Sequence, residues 1–330
     1  MRRRDFIKVV VGSATTLPLA ARAQLSGGIR HVGVLMAYAE SDPEAQAWFA
    51  ASREELQKLG WVEDHTIRID IRWAGASVES IERSAKELVA LKPELILSSS
   101  TPSTAALLQQ TRTLPIIFAL VADPVGSGFV ANLARPGGNV TGFTNLEPTL
   151  GSKWLALLRE IAPRVGRVVF LFNPATAPYA EYYLKPFKDA AASVGVEAIT
   201  GPVRDTSQLE SVIAAQASEP NTGLIAMPDA FLASHRAEIV SLATRYRLPA
   251  VYPYRIFAEL GGLLSYGTDP IDNFRHAATY VDRILKGTKP SELPVQAPDK
   301  FQMIINLKTA KALGLDVSPQ LQERADEVIE

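Results

Sequence analysis

The sequence contains no cysteine among its 330 residues, and histidine is scarce, with four residues. Without cysteine the chain has no disulfides and cannot carry the lipidated cysteine of a bacterial lipoprotein. None of the histidines forms the H-x-x-x-H or H-E-x-x-H spacing of a metal site. The chain must therefore be held together by its hydrophobic core, and its length suffices for that, most naturally as two lobes.

Catalytic signatures are also missing. No G-x-S-x-G elbow presents a serine nucleophile, and no G-x-G-x-x-G follows the first apolar run. The segment "RPGGNVTG", residues 135–142, is rich in glycine but lacks the G-K-[ST] of a phosphate loop, so it is interpreted as a turn. The sequence therefore predicts a protein that is not an enzyme and that needs no cofactor and no metal.

The first 23 residues have the features of an export signal. Arginines and one lysine precede a mild apolar stretch, residues 9–20, and "ARA" at residues 21–23 fits a cleavage site after Ala23. The apolar stretch is shorter than the roughly 20 residues that cross a bilayer. The string "RRDFIK" resembles a twin-arginine signal, and the general secretion route is the alternative. Either route predicts a periplasmic protein.

The charge of the remaining chain argues against one class of partner. Residues 1–23 hold five of the 34 basic and one of the 35 acidic residues, so the rest carries a net charge of about −5. A nucleic-acid-binding protein would show a basic stripe instead. No later segment is long and apolar enough to cross a membrane, which predicts no membrane insertion after signal cleavage.

From residue 31 onward, short apolar runs alternate with segments of helical periodicity. "TIRIDIRW", residues 66–73, alternates apolar and charged residues and predicts a strand near a sheet edge. The first strand is expected at residues 31–36. The later runs are shorter and more uniformly apolar, as in parallel strands covered on both faces, and they lie at residues 95–97, 116–120, 168–172, 224–227, 250–252 and 263–266. Repeated alternation of this kind predicts two doubly wound α/β lobes, separated near residues 137–155.

Polar turns with proline follow many of these strands, and "LILSSSTPSTAALL", residues 95–108, is one of them. In a parallel sheet such turns share the carboxyl-end edge, where ligands bind in open α/β folds. Backbone N–H groups at a helix start have no partner within the helix, so hydroxyl groups there can hold a carboxylate. The alternative is that these hydroxyl groups only cap their own helix.

Aromatic and polar residues follow the later strands. Tyr252 and Tyr254 follow one, Asp229 another, and Asn173 and Tyr179 a third. Rings at loop tips are costly to expose, so they either pack inward or line a pocket. Asp229 and Asp123 each have the chemistry to meet an ammonium or hydroxyl group, and each is equally explained as a turn-forming residue.

Four segments together resemble the periplasmic substrate-binding proteins of ABC transporters, in the subgroup for tryptophan- or tyrosine-type solutes. They are "IIFALVADPVGSGFVANLARPGGNVTGFTNL", "LPAVYPYRIFAELGGLLSYGTD", "VDRILKGTKPSELPVQAPDKFQMIINLKTAKALGL" and the terminal "RADEVIE". The similarity covers essentially the whole chain after the signal. It implies a type I periplasmic-binding fold, in which a ligand sits between two lobes that close by hinge bending.

The resemblance also implies where the chain crosses between the lobes, near Asn145, Thr268 and Ala297. Lobe 1 then holds residues 30–145 and 269–297, and lobe 2 holds residues 146–268 and 298–330. The positions at which the family binds its ligand correspond here to Tyr38, Ser99, Thr101, Ser103, Asp123, Asn173, Asp229, Tyr252, Tyr254 and Tyr266.

At "AVYPYRIFAE", residues 250–259, the chain departs from the tryptophan-binding members, which have a Ser/Thr/Asp-rich stretch there. An α-ammonium group needs acidic or carbonyl partners, and this loop offers tyrosines and Arg255 instead. The expected ligand is therefore either an amino acid or an aromatic or other hydrophobic carboxylic acid.

The leading hypothesis is the solute receptor of an ABC importer, with a membrane permease and its ATPase as partners. A ligand-sensing module for a receptor kinase is the second hypothesis, and a periplasmic cofactor enzyme is the third. Scarce histidine and the missing glycine fingerprint count against the enzyme.

Overall fold

The computed structural model describes residues 28–145 and 147–330. The predicted export signal and its cleavage site lie outside the described residues. Within them, no helix is long and apolar enough to span a bilayer.

One unit of the fold, here called lobe 1, is built on a five-stranded parallel sheet. Its strands are β1 (Arg30–Met36), β2 (Ile67–Trp73), β3 (Leu95–Ser98), β4 (Ile116–Val121) and β5 (Val140–Thr144) in the spatial order β2-β1-β3-β4-β5. The helices are α1 (Pro43–Lys58), α2 (Val78–Ala90), α3 (Thr101–Gln110) and, much later in the chain, α10 (Pro270–Leu285), which packs on α1. Strand β2 lies at the edge of the sheet, which confirms the prediction from its alternating pattern.

The second unit, lobe 2, is built on a seven-stranded sheet. Its strands are β6 (Arg167–Phe172), β7 (Glu197–Pro202), β8 (Thr222–Ala226), β9 (Ala250–Tyr252), β10 (Leu264–Gly267), β11 (Gln302–Asn306) and β12 (Glu327–Ile329), in the spatial order β12-β11-β10-β9-β8-β6-β7. Its helices are α4 (Leu150–Ile161), α5 (Ala180–Ser193), α6 (Thr206–Ala217), α7 (Ala230–Ser234), α8 (Arg236–Arg245), α9 (Arg255–Glu259), α11 (Leu307–Leu313) and α12 (Pro319–Glu323).

The chain passes between the two sheets three times, namely between β5 and α4, between β10 and α10, and between α10 and β11. Two of these passages touch each other, because the Thr268 hydroxyl donates to the Asn145 carbonyl at 3.3 Å. The third lies beside the first, since the Thr144 amide donates to the Gln296 carbonyl at 2.8 Å. The three passages form one hydrogen-bonded hinge.

The parallel α/β architecture is confirmed, with one correction. The sheet of lobe 2 is mixed, because β11 runs antiparallel to β10. Strands β5, β7, β11 and β12 were also not predicted from the sequence. Strand β7 ends in Gly201 and Pro202, and β12 has three residues, so neither carries the apolar run by which the other strands were found.

The segment "RPGGNVTG" was interpreted as a turn, and this is correct only for its first part, because residues 140–142 belong to β5. Gly137 and Gly138 have φ angles of 69° and 67°, in the left-handed region that favours glycine. Gly142, in β5, has a φ of 153°, and a Cβ there would lie 2.1 Å from the Phe118 carbonyl oxygen. Only glycine lets β5 approach β4 this closely.

Candidate functional site

The hydroxyl groups of the serine-rich turn are buried and largely used within lobe 1. Ser99 Oγ accepts a hydrogen bond from the Ala37 amide at 2.8 Å, which ties the end of β3 to the loop after β1. Thr101 Oγ1 accepts from the Ala122 amide at 3.1 Å, which ties the start of α3 to the loop after β4. These two hydroxyl groups therefore hold together the loops that form the lobe 1 face of the cleft.

Ser100 and Ser103 complete the start of α3. Ser100 is the N-cap, and its Oγ accepts from the Ser103 amide at 3.3 Å and donates to Ser103 Oγ at 2.9 Å. The capping alternative thus accounts for Ser100. Ligand contact by Ser99, Thr101 and Ser103 stays a prediction.

We expect Ser99→Ala to lower the free energy of unfolding by about 1–3 kcal/mol, because the buried Ala37 amide loses its acceptor. Urea unfolding of the purified protein measures this loss. Ser241→Ala, at an exposed position of α8, is the control and should leave the midpoint unchanged. Equal stability of the Ser99 and Ser241 variants would contradict a structural role for the Ser99 hydroxyl.

Asp123 lies in a tight turn at the end of β4. Its φ is 41°, and its Oδ1 accepts from the Gly126 amide at 2.8 Å. A Cβ on Gly126 would collide with the Asp123 carboxylate, so the D-P-V-G string packs its acid against a glycine. The turn-forming alternative is therefore satisfied, and the same carboxylate also lines a cavity between the lobes.

An ion pair crosses directly from lobe 1 to lobe 2. Arg236, the first residue of α8, donates from Nη1 to Asp42 Oδ2 at 2.7 Å and from Nη2 to Asp42 Oδ1 at 2.9 Å. The side chains are 14% and 9% exposed. Asp42 is also the N-cap of α1, where it accepts from the amides of Glu44 and Ala45. This two-pronged contact holds the lobes against each other, so the structure represents a closed arrangement.

Tyrosines from both lobes gather near that ion pair. Tyr38 of lobe 1 and Tyr254 of lobe 2 are buried, and Tyr179 of lobe 2 is half-buried. Burial raises the pKa of Tyr38 well above its usual value, and the nearby Tyr254, Asp42 and Asp229 raise it further. Burial of the hydroxyl groups is also the largest cause that raises the pKa of Tyr179 and of Tyr254. The hydroxyl groups are therefore neutral donors at physiological pH.

Asp229 lies under this cluster and is fully engaged. Its Oδ2 accepts from the Asn173 amide at 3.0 Å, and its Oδ1 accepts from the Leu232 amide at 2.8 Å and the Thr176 hydroxyl at 3.2 Å. Burial raises the pKa of Asp229 to about 6, although these hydrogen bonds oppose the shift. Asn173 in turn accepts from the Ala175 amide. Asp229 therefore joins the loops after β6 and β8.

Tyr252 and Tyr266 lie apart from this cluster. Tyr252 stacks on Phe257, with ring centroids 4.9 Å apart, inside the core of lobe 2. Tyr266 stacks on Phe301 and lies under the Lys153 ammonium, on the side of the hinge that α4 covers. The structure thus brings together Tyr38, Asp229 and Tyr254 but not the other two tyrosines, whose ring contacts are within lobe 2.

A cavity of about 410 Å³ lies between the lobes at this edge of the sheets. Lobe 1 contributes Thr101, Asp123 and Phe129, and lobe 2 contributes Tyr179 and Tyr182. Its size lies within the range of small-molecule sites. In residues 28–145 and 147–330, no group of three or more His, Asp or Glu is arranged to hold a metal ion.

Sequence reasoning missed Arg236 and Asn145. Arg236 is separated from Asp42 by 194 positions, and a single arginine at a helix start carries no signal of its own. Asn145 was placed near a crossing but not in the site. It is 2% exposed, and its Nδ2 donates to the Tyr254 hydroxyl at 2.8 Å.

Two α/β lobes joined by a triple hinge, with a cleft at the carboxyl ends of their strands, define a two-lobed binding protein of the type I periplasmic fold. The family model for ABC transporter substrate binding proteins matches residues 41–329. The chain belongs to that family and is the substrate-binding component of an ABC transporter.

Several relatives are similar over most of their length. The tyrosine-binding protein of Clostridioides difficile is 25% identical over 260 residues, 79% of this chain and 74% of that protein. The ABC domain in complex with L-Trp from Streptococcus pneumonia superposes with a TM-score of 0.84 at 26% identity, covering 91% of this chain and 100% of that one. A conserved domain protein from Vibrio cholerae has the same TM-score at 27% identity, with 91% and 99% covered.

Proposed function

We propose that this protein captures a small, partly apolar, carboxylate-bearing molecule in the periplasm and delivers it to a membrane permease and its ATPase, without changing it chemically. The closed contact between the lobes is the observation that carries the proposal. The ion pair joins Asp42 of one lobe to Arg236 of the other. The interlobe cavity likewise takes Asp123 from lobe 1 and Tyr182 from lobe 2, so it is complete only when the lobes meet.

The walls of the cleft support the aromatic part of this ligand class. Tyr179, Tyr182 and Phe129 supply ring surface to the interlobe cavity, and the Thr101 hydroxyl and the Asp123 carboxylate are polar groups in the same wall. Aromatic faces with few polar anchors suit a ring-bearing solute. The relatives that bind tyrosine and tryptophan support the same class.

A ligand of this kind should stabilise the protein by mass action. We expect the melting temperature to rise with the logarithm of ligand concentration, with about 2.7 kcal/mol of stabilisation at one hundred times the Kd. Differential scanning fluorimetry against aromatic amino acids and aromatic carboxylic acids measures this, and calorimetry then tests for one-to-one binding. A flat response across both series, with no small molecule co-purifying, would contradict the proposed ligand class.

The alternative function is ligand sensing, in which the closed protein binds a receptor kinase instead of a permease. A permease and an ATPase encoded beside this chain would favour transport. Unchanged ligand recovered by mass spectrometry after long incubation would separate both binding roles from an enzyme.

A further inference from the structure

A second cavity, of about 380 Å³, lies within lobe 2 and away from the cleft. Its walls come from the end of α8, the loop between α9 and β10, and α11. Arg247 and Leu248 precede β9, and residues 261–263 lead into β10, so the cavity lies at the amino ends of these strands, opposite the edge that forms the cleft. Its size lies within the range of small-molecule sites.

The charged side chains of this cavity are both cationic. Arg247 and Lys308 are exposed, and neither forms an ion pair with any described residue. Two backbone acceptors in the wall are already engaged, because the Ala312 carbonyl accepts from Arg247 Nη2 at 3.2 Å and the Gly261 carbonyl accepts from the Thr309 hydroxyl at 2.7 Å. The wall therefore offers positive charge without a compensating acid, which suits an anion.

Tyr252 adds a buried donor to the same wall. Its side chain is 1% exposed, and its ring reaches back toward the amino ends of the strands, since a Cβ on Gly262 would lie 2.6 Å from Tyr252 Cε2. Its hydroxyl forms no hydrogen bond within residues 28–145 and 147–330. Burial alone raises the pKa of Tyr252, so the hydroxyl is neutral at physiological pH. A buried hydroxyl without an acceptor is costly, and a ligand oxygen in the cavity removes that cost.

We propose that this cavity is a second ligand site, which binds a small carboxylate with an apolar body, in addition to the solute that the cleft captures. The carboxylate pairs with Arg247 and Lys308 and accepts from the Tyr252 hydroxyl, since its two oxygens have about four acceptor positions. The apolar body packs on Leu248 and Leu263 in the same wall. Because the lining residues all belong to lobe 2, binding here does not require the lobes to close.

Octanoate and octylammonium test the charge of the site, since they share the same length of alkyl chain and carry opposite head charges. By calorimetry, we expect octanoate to bind one-to-one and about tenfold tighter than octylammonium, because a second positive charge beside two cations is repelled. Equal affinities, or no binding of octanoate at millimolar concentrations, would overturn the proposal.

Neutral variants of the two cations test the residues. Arg247→Gln combined with Lys308→Gln should weaken octanoate binding about fivefold, because exposed charge pairs contribute little each. Arg245→Gln combined with Lys311→Gln is the matched control, since it removes the same two charges from exposed positions of α8 and α11 that do not line the cavity. The same weakening in both double variants would show that only the net charge matters and would overturn the site.

Tyr252→Phe tests the buried donor. It removes the hydroxyl and keeps the ring that stacks on Phe257. Octanoate should then bind about tenfold more weakly, because a hydrogen bond to a charged group is lost. The melting temperature without octanoate should stay unchanged, since the hydroxyl has no protein partner to lose. Unchanged affinity in Tyr252→Phe would remove Tyr252 from the site.

Amide chemical shifts of the nitrogen-15-labelled protein locate the ligand. Octanoate should shift the amides of Gly261 and Leu313 and leave those of Gly126 and Tyr182, in the interlobe cavity, unchanged. Arg236→Ala, which removes the ion pair between the lobes, should bind octanoate as tightly as the parent protein does. Shifts confined to Gly126 and Tyr182 would overturn the proposal. A cleft that binds no aromatic solute contradicts the proposed function and leaves the octanoate result unaffected.

Discussion

Arg236→Ala should open the protein and weaken ligand binding by about 30- to 150-fold. Removing one partner of a buried ion pair typically costs 3–5 kcal/mol. Because the Asp42 and Arg236 side chains keep 9% and 14% exposure, we expect about 2–3 kcal/mol here. That energy belongs to the closed state, since the two residues come from different lobes, so the closed population and the apparent affinity fall together.

The fold should survive this substitution. Asp42 keeps its hydrogen bonds to the amides of Glu44 and Ala45, and so remains the N-cap of α1. Arg255 offers a matched control, because it pairs with Glu259 and Glu327 within lobe 2. Arg255→Ala removes the same guanidinium charge without touching the contact between the lobes.

The distance between the lobes can be measured with spin labels, because the chain contains no cysteine of its own. Cysteines introduced at two exposed helical positions, Gln57 in lobe 1 and Ser241 in lobe 2, are the only sites for thiol-reactive spin labels. In the absence of ligand, the distance between the labels should lengthen by several ångströms in Arg236→Ala and stay unchanged in Arg255→Ala. Identical distance distributions in both variants would show that the Asp42–Arg236 pair does not hold the lobes closed.

Much of the architecture was predictable because local signals agreed with one another. Asp42 and Ser77 cap α1 and α2, and aspartate and serine are among the residues most common at that position. The alternation in residues 67–73 predicted an edge strand, and apolar runs located most of the buried strands. In each of these cases the residues that carry the signal lie within about one helical turn or one strand of each other.

The candidate site was less predictable, because its geometry joins distant residues. Nothing local marks Arg236, whose partner is supplied by the other lobe. Tyr252 and Tyr254 both follow the same apolar run, yet one stacks on Phe257 in the core and the other receives a hydrogen bond from Asn145. Which way a side chain points at a strand end depends on where the strand stops, and the sequence does not mark that residue.

Asp229→Ala should destabilise lobe 2 by about 3–4 kcal/mol, the largest loss of stability that we expect from a polar substitution. Two buried amides, of Asn173 and Leu232, and the Thr176 hydroxyl lose their common acceptor, and each unsatisfied buried donor costs about 1–3 kcal/mol. Chemical denaturation at pH 7 measures the loss. A change below 1 kcal/mol would mean that these donors find other acceptors.

The pH dependence of Asp229→Asn tests the protonation of the same group. The pKa of Asp229 is raised from 3.8 to about 6, so the folded protein holds this proton more tightly than the unfolded chain does. The resulting stabilisation is complete below pH 4 and is lost as the pH rises to 6. Relative to Asp229→Asn, the parent protein should therefore lose roughly 2–3 kcal/mol across that interval.

Asp205 provides the control with the opposite sign. It is the N-cap of the exposed start of α6, and hydrogen bonds from Ser207 and Gln208 lower its pKa. Its contribution to stability is therefore present above the unfolded pKa and is lost as the pH falls. The difference in unfolding free energy between the parent protein and Asp205→Asn should therefore become smaller at acidic pH. Asp229 is likewise an N-cap, at the start of α7. Opposite pH trends for these two aspartates would show that burial, rather than capping, decides the protonation of Asp229. Parallel trends would contradict that explanation.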